Sequence, residues 1–408
     1  MNILYINHYA GSISYGMEYR PYYLAREWVR QGHSVVIVAA NYSHIRAHNI
    51  AIADNEQYKT EMIDGIKYIW CKTPKYPENG IKRVINIFTF LHRLKRLVPN
   101  LLRSFKPDIV IASSTYPFDT KIVANIAKQT KAKFIYEVHD LWPLTPMELG
   151  GMSKYHPFIW LMQKAEDFGY ENADKVVSLL PKAQNYMQRH GMAADKFVYI
   201  PNGVSVHDWQ QSQQPLSESY QQQIQQIKQK YKFLIGYTGS MGESNALKYL
   251  LNAVAQIKDK SFAFVLIGDG PCKQDLIKQA QKEGITNVFF LEPISKTQIP
   301  DFLNEMDAAY IGWSNLPIYR FGISPNKLFD YMLAAKPIIH SVTAGNDLVA
   351  EANCGISVPA EDVAAIANAI TQMLNTAESS RQAWGQNGYQ YVTQHHDYTK
   401  LAQKFLET

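Results

Sequence analysis

Residues 324–339 read SPNKLFDYMLAAKPII and set Lys327 and Asp330 three positions apart at the entrance of a helical pattern. A carboxylate just inside a helix can accept two hydrogen bonds from vicinal ribose hydroxyls, and a nearby ammonium supplies positive charge for phosphate. The spacing therefore suits a nucleotide carrying a diphosphate. A helix-start aspartate interacting with its own dipole, beside a solvated lysine, has the same spacing. Upstream, GYTGSMGES and LIGDGP put Gly239, Ser240, Gly268 and Asp269 directly after apolar runs. Glycine there lets a base or a diphosphate approach backbone N–H groups. Tight turns alone explain either loop, but their recurrence just ahead of 324–339 favours a nucleotide site.

The N-terminal half carries two further loops. YAGSISYGMEYRP sets Gly11 and Gly16 before a helix start, where free N–H groups and the helix dipole favour an anion or polar group. The spacing is not GxGxxG, so it matches a nicotinamide cofactor poorly, and an ordinary turn remains the alternative. YEVHDLWP delivers His139 and Asp140 at the end of an apolar run. A histidine so placed can donate to a substrate hydroxyl or phosphate, or exchange a proton near neutral pH. A capping aspartate beside a packed histidine is the structural alternative.

These loops need strands to end and helices to begin beside them. From NILYINHY through the helical RPYYLAREWVRQ to HSVVIVAA, and on through PDIVIASS, KFIYEVHD, DKVVSLLP and KFVYIPNG, apolar strands alternate with amphipathic segments. Pro21 suits a first helical turn and Gly32 a C-terminal cap. The phrasing restarts with KFLIGYTGS, SFAFVLIGDG, NVFFLEP, AAYIGW and PIIHSV. Such alternation predicts an α/β fold of parallel sheets wound on both faces. Ligands of such sheets bind beyond the carboxyl ends of the strands, where these loops lie. At 408 residues the chain fits two domains of roughly 150 to 200 residues each. The expected limits are 1–207 and 231–384, two Rossmann-like domains facing a central cleft. A Gln- and Ser-rich linker is expected over 208–230, and a segment 385–408 packing back on the first domain.

With 46% hydrophobic and 19% charged residues and a net charge of +5, the composition is globular and mildly basic. It favours anionic partners without choosing among them. No run of about 18 apolar residues offers a membrane span, and the start MNILYINHYAG lacks the pattern of a secretion signal, so a cytoplasmic location is expected. Cys71, Cys272 and Cys354 lie far apart, which indicates neither a disulfide framework nor a metal site. Residues 81–106 hold seven Lys or Arg and no acid. Ile81, Val84, Ile85, Phe88, Leu91, Leu94 and Val98 follow helical spacing, so this helix either rests on anionic lipid or packs its stripe on the sheet.

In their order, YGMEYRPYYLAREWVRQGHSVVIVAA, VHDLWP, IPNGV, YTGS, IGDGP and FGISPNKLFDYMLAAKPII resemble the retaining, nucleotide-sugar-dependent glycosyltransferases of family 4. The likeness spans nearly the whole chain and is greatest to bacterial enzymes adding amino sugars such as N-acetyl-L-fucosamine in O-antigen or capsule assembly. It implies the GT-B fold, a nucleoside diphosphate sugar (UDP above all) as donor, a polyprenyl-diphosphate-linked saccharide as acceptor, no bound metal, no nucleic acid, and peripheral attachment to the inner membrane. It implies a donor site of Gly239, Ser240, Gly268, Asp269, Arg320, Asn326 and Asp330. Lys327, His139 and Glu18 take catalytic places, and Gly11, Tyr15, Gly16, Arg20 and Asn202 the acceptor or interdomain side.

The chain also departs from that pattern. The family's two glutamates, separated by seven residues, fall on Gly322 and Asp330, and its diphosphate-gripping Arg and Lys fall near Ser240 and Asn245. Lys327 and Arg320 are the available replacements. A nucleotide-sugar epimerase or hydrolase, or a non-catalytic member of a polysaccharide-assembly complex, are the rival readings.

Overall fold

The computed structural model describes residues 1–76, 80–211 and 213–408. Two compact units divide it: Met1–Asn202 with Tyr398–Thr408, and Gly203–Asp397.

The first unit holds β1 (Asn2–Ile6), β2 (Ser34–Ala40), β3 (Tyr58–Ile63), β4 (Ile66–Cys71), β5 (Ile109–Ala112), β6 (Lys133–Val138), β7 (Lys175–Ser178) and β8 (Phe197–Tyr199). Their order across the sheet is β3-β4-β2-β1-β5-β6-β7-β8. Only β3–β4 is antiparallel. Central β1 sets the register, with Leu4 opposite both Val36 and Val110. Helix Arg20–Arg30 begins with Pro21 and ends on Gly32, whose φ of +85° no other residue adopts cheaply. Gly32 N–H bonds the Val29 carbonyl and His33 N–H the Trp28 carbonyl, which stops the helix and turns the chain into β2.

The second unit holds β9 (Phe233–Thr238), β10 (Phe262–Ile267), β11 (Val288–Leu291), β12 (Ala308–Gly312), β13 (Ile338–Ser341) and β14 (Gly355–Val358). The order is β11-β10-β9-β12-β13-β14, parallel throughout. Side chains alternate along each strand, so β9 feeds two cores. Leu234 packs with Val265 and Phe329 on one face, while Phe233, Ile235 and Tyr237 pack with Phe264 and Leu251 on the other.

Three features differ from the sequence expectation. The apolar-run reading has no counterpart for β3, β4 or β14. In β3 (YKTEMI) the exposed edge residues interrupt any apolar run, and its signal is the turn Asp64-Gly65 at φ 48° and 79°, a two-residue hairpin connection. The expected linker 208–230 is largely a layer of the second unit: Leu216, Ile224 and Ile227 are buried in its core, and the Asp301 carboxylate accepts Leu216 N–H at 2.7 Å. Glutamines cover the outer face of helix Glu218–Lys228, and Ser212 lies outside the described residues. The C-terminal segment is two helices. Glu378–His395 belongs to the second unit, where a Cβ on Gly385 would lie 1.9 Å from the Ala335 carbonyl oxygen.

Helix Tyr398–Leu406 belongs to the first unit and buries Tyr398, Leu401, Ala402 and Phe405. Trp28 Nε1 donates to the Ala402 carbonyl at 2.9 Å, and the Trp28 and Phe405 rings meet at 5.3 Å. Phe405→Ala should destabilise the first unit by about 3 to 5 kcal/mol, since it empties a fully enclosed site. Denaturant unfolding of the variant checks this, and a loss below about 1 kcal/mol would contradict the packing.

Candidate active site

At the carboxyl edge of the second sheet two glycine loops interlock. A Cβ on Gly268 (φ +148°) would lie 2.0 Å from the Gly239 carbonyl oxygen, and one on Gly270 2.7 Å from Met241 nitrogen. Met241 N–H reaches the Asp269 carbonyl at 2.8 Å. The close approach needs glycines, and it brings both loops to helix Asn326–Leu333. Lys327 Nζ extends beside Gly239, donating to the Tyr237 hydroxyl at 2.7 Å and to Asn245 Oδ1 at 2.6 Å, 4.4 Å from the Tyr237 ring centre. Both partners are neutral. Burial accordingly pulls the ammonium's pKa from 10.5 down to about 7. Position 245 is an amide, and it receives the ammonium of Lys327.

Asp330 is 5% exposed, and both its oxygens accept from Lys296 Nζ, at 2.6 and 2.5 Å. Burial raises its pKa while Lys296 opposes the rise. Lys296 is a site residue that no sequence motif marks. Ser240 and Asn326 are exposed beside these groups, and Asp269 accepts the N–H of Gly270 at 2.8 Å. Arg320 is exposed on its own turn, donating to the Pro317 carbonyl at 2.6 Å, with its guanidinium over Phe321. Gly322 has φ +111° and its N–H bonds the Tyr319 carbonyl, so a glutamate there would be strained.

In the first unit the carboxyl edge is organised by a charge the motif reading passes over. Glu137, in β6, is wholly buried, accepting from Arg20 Nε at 2.9 Å, from Ser113 Oγ at 2.6 Å and from the Tyr5 hydroxyl. Burial would raise its pKa, but Arg20 and then His139 hold the carboxyl well below the usual range. His139 Nε2 lies 2.9 Å from Ser113 Oγ and 3.2 Å from Glu137 Oε2. The Ser113 hydroxyl already donates to Glu137, so Nε2 carries a proton and Nδ1 is the nitrogen left for a ligand. Burial lowers the imidazole pKa, yet the hydrogen bond and charge of Glu137, with the charge of Glu18, leave it raised above 6.5.

Arg20 is 1% exposed: Nε donates to Glu137, Nη1 to the Pro201 carbonyl and Nη2 to the Ile200 carbonyl, so it holds Glu137 ionised. The Tyr15 hydroxyl is bound by Glu61 at 2.9 and 3.0 Å and its ring packs on Trp70. Gly11 and Gly16 close a tight loop: Gly11 N–H bonds the Glu18 carbonyl at 2.8 Å, and a Cβ on Gly11 would strike the Gly16 carbonyl oxygen. Asn202 ends the first unit.

A groove of about 670 Å³ opens at the amino end of the second sheet, lined by Lys228, Lys232, Lys336 and Arg381 among others. It lies opposite the edge where the glycine loops meet, so its size does not make it the site. Among the described residues one group could hold a metal, Glu166, Asp167 and His190, and the Gln163 amide already bridges all three at 2.9, 2.7 and 2.8 Å. Among the described residues no helix is long and apolar enough to cross a membrane.

An ammonium held near pKa 7 gains an anion by regaining its proton. Nucleoside diphosphate affinity should fall as pH rises from 7 to 9, with proton uptake on binding. Lys327→Met should bind at least tenfold more weakly, about 1.4 kcal/mol, with a flat pH profile. The same variant should melt higher at neutral pH, because the charge costs stability below the ordinary lysine pKa and most fully below about 7. Calorimetry in two buffers and thermal melts check both, and unchanged affinity would remove Lys327 from the site.

Residues 15–203 match the Glycosyl transferase 4-like domain and residues 232–376 the Glycosyl transferases group 1 domain. The putative colanic acid biosynthesis glycosyl transferase WcaI of Escherichia coli K12 is 25% identical over 85% of this chain and 86% of its own. The Escherichia coli O-antigen chain mannosyltransferase C is 21% identical over 70% and 71%. Among solved structures, sucrose-phosphate synthase from Thermosynechococcus elongatus superposes over 100% of this chain and 98% of its own, with a TM-score of 0.73 at 16% identity. Anabaena HepE in complex with UDP and glucose does so over 100% and 98%, at 0.65 and 15%. Two domain matches in this order, on two parallel sheets of shared architecture, establish that the chain belongs to the family 4 glycosyltransferases of GT-B fold, enzymes that use a nucleotide-activated sugar.

Proposed function

We propose that the chain is a retaining transferase that moves a sugar from UDP to a lipid-linked saccharide in the assembly of an O-antigen, colanic-acid or capsule-type polysaccharide. The observation that carries this reading is Lys327, a half-buried ammonium with two neutral partners beside the Gly239 loop, to which a diphosphate brings a counter-charge. The relatives' names support the polymer class, and the UDP complex of HepE supports the nucleotide.

In this reading the bond from the sugar's anomeric carbon to the diphosphate oxygen breaks, and charge grows on the leaving phosphate. Lys327 and the loop N–H of Ser240 stabilise that charge. The acceptor hydroxyl attacks the same face, and its proton passes to the departing phosphate oxygen. Asp330 accepts from the ribose hydroxyls, since a carboxylate bound by one ammonium keeps further lone pairs. Asn326, Asp269 and Arg320 border the donor. His139, held as a proton-bearing ring by Glu137, donates from Nδ1 to an oxygen of the reacting sugar, and Glu18 supports its charge. The donor sugar we assign is an N-acetylated 6-deoxy amino sugar of the N-acetyl-L-fucosamine type. Gly322 in place of the first carboxylate supports a sugar that presents fewer hydroxyls.

The reading includes peripheral attachment to the cytoplasmic face of the inner membrane. Helix Ile81–Ser104 divides the expected stripe: Leu91, Leu94 and Val98 are buried, whereas Ile81, Ile85 and Phe88 are 80, 52 and 46% exposed. The apolar surface continues through ring contacts from Phe88 to Phe118 and from Phe118 to Phe158, toward the exposed Trp160 and Leu161. Lys82, Lys95, Lys154 and Lys164 are exposed in the same two stretches. Exposed aromatic residues beside exposed lysines suit anionic lipid.

Incubation with UDP-sugars, with and without membrane-extracted acceptor, followed by mass spectrometry, tests the reaction. Transfer to lipid is expected. Acceptor-independent turnover would mark an epimerase or hydrolase, and no turnover a non-catalytic partner. Asp330→Ala should weaken donor binding about tenfold. Phe88→Asp combined with Trp160→Asp should abolish co-sedimentation with phosphatidylglycerol vesicles while sparing UDP binding; retained sedimentation would contradict the lipid contact.

A further inference from the structure

The carboxyl edge of the first sheet holds an arginine between two aromatic rings. Arg83, in the first turn of helix Ile81–Ser104, has its guanidinium carbon 5.5 Å from the Tyr9 ring centre and 5.7 Å from that of Trp142. Its Nε and Nη2 donate to the Tyr9 hydroxyl at 3.2 and 3.1 Å. Tyr9 itself is 2% exposed. Trp142 Nε1 is a buried N–H with no hydrogen-bond partner among the described residues. A buried donor left unpaired is costly and rare, and commonly marks a group that a ligand completes.

The cluster sits between two surfaces already described. Trp142 lies three residues beyond His139 on one loop, and Tyr9 two beyond Asn7, whose amide donates at 3.1 Å to the Ser113 hydroxyl that contacts His139. Arg83 is in the first turn of the helix whose outward apolar side chains include Ile81 and Ile85, about 200° round the axis from both. A molecule whose lipid lies along that stripe and whose saccharide reaches toward His139 would bring the link between the two round the start of this helix, where Arg83 stands.

We infer that Arg83, Tyr9 and Trp142 form a subsite for the phosphate ester that joins the acceptor saccharide to its lipid. The guanidinium takes the anionic oxygens, Trp142 Nε1 donates to another, and the two rings hold the guanidinium plane and screen it from water. This rests on the lipid-linked acceptor of the proposed function. An acidic sugar within the acceptor would offer a similar anion through a carboxylate, so the experiment separates the two sources.

Titration calorimetry with farnesyl diphosphate, at saturating UDP to keep the donor site filled, reads the subsite directly. Wild-type protein should bind it, Arg83→Ala roughly tenfold to a hundredfold more weakly, with Arg83→Lys between. Trp142→Phe should lose severalfold, while farnesol and UDP should bind all variants alike. Equal affinity of wild type and Arg83→Ala for farnesyl diphosphate, no binding by wild type, or an equal loss for farnesol would overturn the inference. So would a loss confined to an alkyl glucuronide, which would assign the anion to the sugar. These readouts need no turnover, so absence of sugar transfer in the UDP-sugar assay would count separately, against the proposed function.

Discussion

A carboxylate without access to water persists only when its charge is met, and in the first unit everything at the carboxyl edge follows from how Glu137 is met. Arg20 reaches it from the first helix and also binds the carbonyls of Ile200 and Pro201, so one guanidinium ties that helix, β6 and the segment after β8. Breaking such a pair would strand a buried charge, at about 3 to 5 kcal/mol. Because Glu137 is ionised, Ser113 turns its hydroxyl inward, and His139 keeps its Nε2 proton and presents Nδ1. The chemistry attributed to the histidine is thus prepared by residues that never meet a ligand.

The second unit uses the opposite arrangement. Lys327 is half-buried with neutral hydrogen-bond partners, and large apolar cores on both sheet faces support the helix that carries it. An ammonium already partly stripped of water binds an anion at a smaller further desolvation cost.

Parallel sheets link the two arrangements. Both faces of every central strand are covered, so polar groups accumulate at the strand ends, where the interlocked glycine loops lie with the Gly239 and Met241 N–H groups bonded to the Ile267 and Asp269 carbonyls. Gly239 and Gly268 approach within a distance that no side chain permits. On the first turns of helix Ile81–Ser104, Ile81, Ile85 and Phe88 stay exposed, with the Phe88 ring meeting that of Phe118 at 5.4 Å.

Much of this was legible in the amino-acid order. Apolar runs and periodicity were enough to define two doubly wound halves, the glycine loops, His139 and Lys327, because strand and helix periods and left-handed turns are local properties of a chain. Glu137 had a readable signal, an acid inside the apolar run KFIYEV, and Asp64-Gly65 marked the hairpin. Other features are products of tertiary structure alone. Lys296 meets Asp330 across 34 residues, Lys327 meets Asn245 across 82, and Arg20 meets Glu137 across 117. Contacts between distant residues depend on how sheets and helices pack, and no local period encodes which partner a long side chain will reach.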